Sequence, residues 1–304
     1  MSKTVFMFPG QGAQYIGMGK DFYENIEVCK KIFEISSEVT GLDIPKLCFE
    51  ENDRINITGY TQIAMLTVEA AIFEALEVNG KKPQATAGLS LGEYGALIAS
   101  KVMEPQEAFR VVRQRGIFMQ EASPTGGAMM AILGLDAPAI EEICEKTEGI
   151  VSVANYNCPG QIVITGEEAA VAAAGAACKE AGAKRTAPLK VSGPFHSKMI
   201  AGAGEKLAVV LEDTKVNEFA IPYVSNVTAD YVTDAKEVKP LLIRQVSSSV
   251  RWQQSIERLL ADGYDEFVEI GPGRTLSGFM RKINRDVKTV NIEKLEDFNK
   301  YVGE

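Results

Sequence analysis

Short apolar runs alternate along the chain with longer segments whose apolar residues recur at helical spacing. The runs 4–8 (TVFMF), 85–89 (ATAGL) and 266–271 (EFVEIG) have the length of buried strands and lead into loops marked by glycine or proline. Between them, segment 61–80 keeps its helical period up to a glycine, and the segment from Pro105 begins with proline at a favourable first helical position. This alternation predicts an α/β fold with a mostly parallel sheet.

The middle of the chain has a different order of elements. After turn residues at 123–127, apolar runs and helical segments follow in the order β-α-β-β-α-β and stop at the turn Ser192-Gly193-Pro194. That order is typical of a small ferredoxin-like unit. We therefore predict a ferredoxin-like subdomain at 124–192, inserted into a discontinuous larger domain made of 1–123 and 193–304.

Net charge, apolar stretches and cysteine spacing limit which partners and which cellular compartment we expect. The formal net charge of -9 argues against nucleic acid or an anionic membrane as the main partner, because either would need a basic face. The chain has no apolar stretch of signal-peptide or transmembrane type, so we expect a cytoplasmic protein. Five widely spaced cysteines without a CxxC pair predict reduced, buried thiols rather than disulfides or a zinc site: Cys29, Cys48, Cys144, Cys158 and Cys178.

Residues 87–95 (AGLSLGEYG) place Ser90 between Gly88 and Gly92, after a predicted strand and before a helical stretch. In that context G-x-S-x-G is a nucleophile elbow, where a serine takes a strained conformation at a sharp turn and the glycines avoid a clash. The turn also puts the hydroxyl at a helix N-terminus, which favours developing negative charge. Because the G-x-S-x-G pattern also arises by chance, its placement between a strand and a helix is the stronger evidence for an elbow.

A serine hydroxyl needs a general base to attack at neutral pH, and the chain contains one histidine, His196, in the loop VSGPFHSKM. A lone histidine is ordinarily structural. Because the chain has no other imidazole that could serve a nucleophile elbow, we predict His196 as the base.

Two further elements have candidate roles. The glycine-rich loop 8–14 (FPGQGAQ) follows the first strand, so the N–H of Gln11 is a candidate partner for that of Leu91 in an oxyanion hole; the alternative is an ordinary tight turn. Arg115 shares the apolar face of its helix by three- and four-residue spacing. It either extends to solvent or is a buried guanidinium awaiting a carboxylate.

These stretches together resemble one family, the malonyl-CoA:acyl-carrier-protein transacylases of fatty-acid synthesis and the related acyltransferase domains of polyketide synthases. The match runs in family order over nearly the whole chain, through FPGQGAQ, TQIAMLTVEAAIF, GLSLGEYGALIAS, RGIFMQEA, NYNCPGQIVITG, GPFHSKM and EIGPGRTLSGFMR. The resemblance implies an α/β-hydrolase-like large domain with a parallel sheet, beside the ferredoxin-like insert.

The resemblance also implies roles for single residues. Ser90 becomes the nucleophile, His196 its base, Gln11 and Leu91 the oxyanion hole and Arg115 the holder of the malonyl carboxylate; Gln245 becomes the residue whose backbone carbonyl orients the histidine. Malonyl-CoA and the phosphopantetheine thiol of acyl carrier protein are the implied substrates. The implied mechanism needs no metal or bound redox cofactor, and we expect a monomer.

One departure and three alternatives accompany this interpretation. The family usually has histidine before the serine, where this chain has Leu89. A trans-acting polyketide synthase acyltransferase would share every motif. A serine esterase or lysophospholipase would share the elbow but orient its histidine with a carboxylate, which 41 acidic residues leave open. A carrier-binding module with a vestigial site would form no acyl-enzyme.

Overall fold

The computed structural model describes residues 2–123 and 125–303. The termini of the predicted large domain, Met1 and Glu304, and the first residue of the predicted subdomain, Pro124, lie outside the described residues. The helices are α1 Lys20–Asn25, α2 Glu27–Thr40, α3 Ile44–Phe49, α4 Thr58–Val78, α5 Glu93–Ala99, α6 Pro105–Glu121, α7 Ala137–Lys146, α8 Glu168–Glu180, α9 Ala201–Glu212, α10 Val238–Gln245, α11 Trp252–Ala261, α12 Thr275–Ile283 and α13 Leu295–Gly303. Short 3₁₀ turns lie at Arg54–Asn56, Ser90–Gly92, Lys198–Ile200 and Ala235–Glu237.

The strands form two separate sheets. The strands are β1 Thr4–Phe8, β2 Ala85–Gly88, β3 Gly127–Leu133, β4 Val151–Cys158, β5 Gln161–Glu167, β6 Arg185–Pro188, β7 Tyr223–Val224, β8 Tyr231–Val232, β9 Glu266–Ile270 and β10 Lys288–Ile292. The larger sheet has the order β10-β9-β1-β2-β7-β8, parallel except for the last pair. The smaller sheet, β4-β5-β3-β6, is antiparallel throughout.

The fold class predicted from the sequence is confirmed. The strands β1, β2 and β9 lie at the three apolar runs, and every residue of these strands is buried, as the continuous apolar pattern of a sheet covered on both faces requires. In the middle of the chain, β3, α7, β4, β5, α8 and β6 follow one another in the predicted β-α-β-β-α-β order. The division into domains at 124–192 stays a prediction.

The helix α4 runs through the core rather than along the surface. Its apolar residues are distributed all around its axis, and 17 of its 21 residues are buried, as expected for a helix covered on every side. It crosses α6 where the two helices carry glycines: a Cβ on Gly116 would lie 3.0 Å from the Cα of Gly59. This close crossing brings Gln62 of α4 within hydrogen-bonding distance of Arg115 of α6.

All five cysteines are free and buried, as predicted from their spacing in the sequence. Burial raises the pKa of the Cys29 thiol to about 12, well above its ordinary value, so this thiol stays protonated at neutral pH. Among the helices in 2–123 and 125–303, none combines the length and the apolar character needed to cross a bilayer.

Candidate active site

Ser90 lies at a sharp turn between β2 and α5, with a φ of 54° that non-glycine residues rarely adopt. The flanking glycines are required by close packing. A Cβ on Gly88 would lie 1.9 Å from the carbonyl oxygen of Gly92, and a Cβ on Gly92 would lie 2.1 Å from that of Phe8. The motif therefore forms the strained elbow that its sequence predicts, with the serine hydroxyl exposed to a cleft.

The position of this turn follows from the order of the strands. Ser90 follows β2, the loop with Gln11 follows β1, and Asn226 follows β7, so three neighbouring parallel strands deliver these residues to the same edge of the sheet. Asn226 Oδ1 accepts the backbone N–H of Ser90 at 2.6 Å, and its Nδ2 donates to the carbonyl of Gly88 at 2.6 Å. Asn226 thus holds the two peptide groups that lead into Ser90.

The Ser90 hydroxyl contacts the only imidazole of the chain. Its Oγ lies 2.8 Å from His196 Nε2, and His196 Nδ1 lies 2.9 Å from the backbone carbonyl of Gln245. Because a carbonyl oxygen can only accept, Nδ1 carries the proton and Nε2 is left to accept from Ser90. This is the tautomer that a general base requires, and a backbone carbonyl rather than a carboxylate selects it.

The surroundings of His196 keep it neutral. The side chain is 5% exposed, and burial together with the nearby Arg115 charge lowers its pKa to about 4, against the opposing effect of the backbone hydrogen bonds of Gln245 and Ser248. An uncharged imidazole can take a proton from serine throughout the neutral range.

Arg115 is buried beside the nucleophile, and therefore does not extend to solvent. Its side chain is 1% exposed, and its Nη2 lies 3.3 Å from Ser90 Oγ. Two amide oxygens hold the guanidinium: Gln62 Oε1 accepts from Nη1 at 2.7 Å and Gln245 Oε1 accepts from Nη2 at 2.9 Å. The ring of Tyr94 lies 5.7 Å from the guanidinium carbon. The close crossing of α4 and α6 is what brings Gln62 to Arg115.

The side chain of Gln245 connects this arginine to the elbow. While its Oε1 accepts from Arg115, its Nε2 donates to the carbonyl of Ser90 at 2.7 Å and to Glu93 Oε2 at 2.9 Å. The same residue therefore contacts the base through its backbone and the guanidinium, the elbow and a buried carboxylate through its side chain.

The residues predicted to supply the oxyanion hole, Gln11 and Leu91, both lie near Ser90. Gln11 lines the same cleft as Ser90, and its side chain bonds Thr58 Oγ1 at 3.2 Å. Leu91 is the second residue of the turn that opens α5, where backbone N–H groups have no acceptor within the helix. The backbone of loop 8–14 approaches the elbow so closely that a Cβ on Gly10 would lie 2.7 Å from the Leu89 carbonyl oxygen.

A cleft of about 540 Å³ opens above these residues, between the edge of the larger sheet and the strands of the smaller one. Its floor carries Ser90 and His196, and Leu89 contributes an apolar side chain beside them. Most other side chains along it are apolar or amide groups, and Lys190 adds a cation: Met119, Met129, Val163, Phe195, Phe279, Asn56, Asn155, Asn157 and Lys190. Such a lining suits a long arm with amide groups.

Sequence reasoning missed three buried polar residues of this site, Gln62, Glu93 and Asn226. Gln62 and Glu93 carried a usable signal, since each interrupts an apolar stretch that the sequence predicts to be buried. Asn226 carried little signal, because a polar residue after a strand is common in any turn.

The chain is similar over nearly its whole length to known proteins of one family. The family model described as the acyl transferase domain matches residues 5–295. The chain is 46% identical to a malonyl CoA-acyl carrier protein transacylase of Bacillus subtilis, over 96% of this chain and 94% of that protein. Among solved structures, the malonyl CoA-acyl carrier protein transacylase of Clostridium perfringens is 42% identical, with a TM-score of 0.96 over 99% of this chain and 96% of that one. A malonyl-transacylase solved with a type II PKS acyl-carrier protein is 38% identical, with a TM-score of 0.96 over 99% of both chains.

Proposed function

The chain belongs to the acyl transferase domain family, and on that premise we propose that it transfers malonyl groups from malonyl-CoA to the phosphopantetheine thiol of an acyl carrier protein in fatty-acid synthesis. One observation carries the choice of acyl group: a buried guanidinium lies 3.3 Å from the hydroxyl of the serine-histidine pair. A buried cation at that distance favours an acyl group with a carboxylate of its own.

The first half of the proposed reaction forms an ester on the enzyme. His196 Nε2 takes the proton of Ser90 Oγ, which attacks the thioester carbonyl carbon of malonyl-CoA. The N–H groups of Gln11 and Leu91 stabilise the oxyanion that results. When the carbonyl re-forms, the carbon-sulfur bond breaks, and the leaving thiolate of coenzyme A takes the proton back from His196.

The second half reverses these steps with a different thiol. The phosphopantetheine thiol of the carrier enters the cleft vacated by coenzyme A, gives its proton to His196 and attacks the malonyl-serine ester. Ser90 leaves with that proton, and the malonyl thioester is carried away. The related structure with a bound acyl-carrier protein supports a carrier as the second substrate. No step of this ping-pong scheme requires a metal or a redox cofactor.

The experiment for this proposal follows the mass of the intact protein. We expect brief mixing with malonyl-CoA to add one malonyl group, and subsequent addition of holo carrier protein to remove it while malonyl-carrier appears. A serine esterase would release malonate to water without needing a carrier, and a vestigial site would gain no mass. Either of those two results would contradict the transferase proposal.

Arg115→Ala tests the choice of acyl group. A bidentate charged pair contributes about 2 to 3 kcal/mol, so we expect kcat/KM for malonyl-CoA to fall about 30- to 150-fold. Acetyl-CoA lacks the carboxylate and should lose much less. Arg115→Lys should restore part of the preference, because an ammonium cannot reproduce the two-pronged geometry.

The measurement is the malonyl-to-acetyl ratio of kcat/KM at one pH and salt concentration. Arg110→Ala is the matched control, since Arg110 lies on the same helix and pairs with Glu107 away from the cleft. A constant ratio with both rates reduced would show that Arg115 supports the fold instead of selecting the acyl group.

A further inference from the structure

Glu93 has no part in the proton transfers above, yet it lies at the centre of the polar network beneath the cleft. It is the first residue of α5, three positions after Ser90, and its side chain is fully buried. Its Oε2 accepts from Gln245 Nε2 at 2.9 Å and from the backbone N–H of Asn226 at 3.4 Å. We propose that Glu93 is a positioning residue that, by holding Gln245 and Asn226, fixes the nucleophile elbow and the acyl-selecting guanidinium together. This inference rests on the proposed function.

The first consequence of this network concerns Ser90. Asn226 accepts its backbone N–H at 2.6 Å, and Gln245 donates to its carbonyl at 2.7 Å. Glu93 accepts from both of these partners, so one carboxylate anchors the residues that hold the peptide groups on either side of the nucleophile. A left-handed serine costs about 1 to 3 kcal/mol and persists only where its surroundings over-determine it. The ring through Glu93, Gln245 and Asn226 supplies that constraint.

The second consequence concerns Arg115, through the direction of the Gln245 amide. Burial raises the pKa of Glu93 to about 7, but its Oε2 accepts from Gln245 in either protonation state when the proton is on Oε1. A guanidinium only donates hydrogen bonds. The amide of Gln245 lies between Glu93 and Arg115, so its NH₂ must face the carboxylate and its oxygen must face the guanidinium. If Glu93 no longer accepts a hydrogen bond, the Gln245 amide loses one of the contacts that fix its direction. Arg115 then loses a fixed acceptor. The backbone of Gln245 meanwhile holds His196, so the base is coupled to the same residue.

This arrangement predicts a pattern of losses that a merely structural residue would not produce. Glu93→Leu removes the acceptor, whereas Glu93→Gln keeps a neutral oxygen that accepts more weakly than a carboxylate. We expect Glu93→Leu to lower the acetylation rate of Ser90 by 4-nitrophenyl acetate about 10-fold, and the malonyl-to-acetyl ratio of kcat/KM by about 10-fold as well. For Glu93→Gln we expect a fall of about 3-fold in each.

A double-mutant cycle tests whether Glu93 acts through the side-chain amide of Gln245. Gln245→Ala keeps the backbone carbonyl that orients His196 and removes the amide on which Glu93 acts. If Glu93 works through that amide, adding Glu93→Leu to Gln245→Ala should change the malonyl-to-acetyl ratio by less than 2-fold. If the malonyl-to-acetyl ratio of the double variant instead falls by the product of the two single-variant losses, the proposal is overturned.

The matched control is Glu69→Leu. Glu69 is also fully buried, and neither of its carboxyl oxygens has a hydrogen-bond partner in the described part of the chain. It lies outside the network, so we expect its variant to keep the wild-type ratio. Thermal unfolding of every variant checks folding, and Glu93→Gln carries the test if the leucine variant does not fold.

Two results would overturn the inference, an unchanged ratio in folded Glu93→Gln or equal losses for malonyl and acetyl in folded Glu93→Leu. Failure of the proposed function has a different signature, because the wild-type protein would then form no malonyl ester at all. In that case the 4-nitrophenyl acetate rates still test whether Glu93 holds Ser90 and His196, since this probe needs neither coenzyme A nor a carboxylate.

Discussion

Replacing Ser90 with alanine is expected to abolish the malonyl-enzyme and to lower carrier-dependent transfer at least about 10⁴-fold. The hydroxyl is the atom that His196 Nε2 contacts at 2.8 Å, and alanine leaves the base and the guanidinium without a nucleophile between them. Intact mass after mixing with malonyl-CoA measures the ester, and a coupled carrier assay measures turnover.

Ser100→Ala is the matched control for this variant. Ser100 is a buried serine at the end of α5, outside the cleft, and its hydroxyl donates to the Leu97 carbonyl. It should form the malonyl ester at the wild-type rate. A Ser90→Ala protein that still gains one malonyl group would place the nucleophile elsewhere and remove the basis of the proposed mechanism.

The second large effect concerns the base. His196→Ala should lower the acylation rate about 10²- to 10⁴-fold, because no other imidazole exists in the chain to accept the serine proton. Added imidazole should restore part of the rate if the cavity left behind admits it. A variant that keeps the wild-type rate would make His196 a structural residue.

The pH profile of the wild-type enzyme tests the same assignment. His196 must be neutral to accept a proton, and its pKa is lowered to about 4 by burial and by the Arg115 charge. The acid limb of acylation should therefore fall through about pH 4, whereas a solvent-exposed histidine would lose activity near pH 6.5. Rapid mixing at each pH with malonyl-CoA measures this limb.

Folding must be followed in parallel, because the same pKa shift affects stability. Between pH 6.5 and about 4 the unfolded chain binds a proton that the folded chain does not, so the free energy of unfolding falls as the pH is lowered. Circular dichroism at each pH separates unfolding from protonation of the base. An acid limb centred near pH 6.5 in fully folded protein would contradict the buried, neutral imidazole.

Much of the fold follows from local patterns. The strand β1 begins and ends where its apolar run does, and α6 begins at Pro105, because burial on both faces and the fixed φ of proline act within a few residues. The elbow at Ser90 follows from local sequence in part: Gly88 avoids a clash with the nearby Gly92 carbonyl, whereas Gly92 avoids one with Phe8 on the neighbouring strand β1. Helical spacing alone placed Arg115 on the apolar face of its helix, where the structure buries it.

The rest of the site depends on residues far apart in the chain. Asn226 bonds Ser90 across 136 positions, and Gln245 bonds it across 155. No periodicity or spacing rule reaches over such distances, so the backbone contact of Gln245 with His196 was implied by family resemblance alone, and the roles of Glu93 and Asn226 were not foreseen. The order of the parallel strands decides these contacts, because it sets which loops meet at one edge of the sheet.

The sequence by itself determined which chemical groups the protein has: one serine in an elbow, one imidazole, and an arginine on an apolar helix face. Their ionisation and direction were decided by the tertiary structure. The imidazole is neutral because the fold buries it beside Arg115. It faces the serine with Nε2 because a backbone carbonyl far away in the sequence accepts a hydrogen bond from Nδ1–H. Desolvation and hydrogen-bond direction arise from every neighbour in space, and most of those neighbours are not neighbours in the sequence.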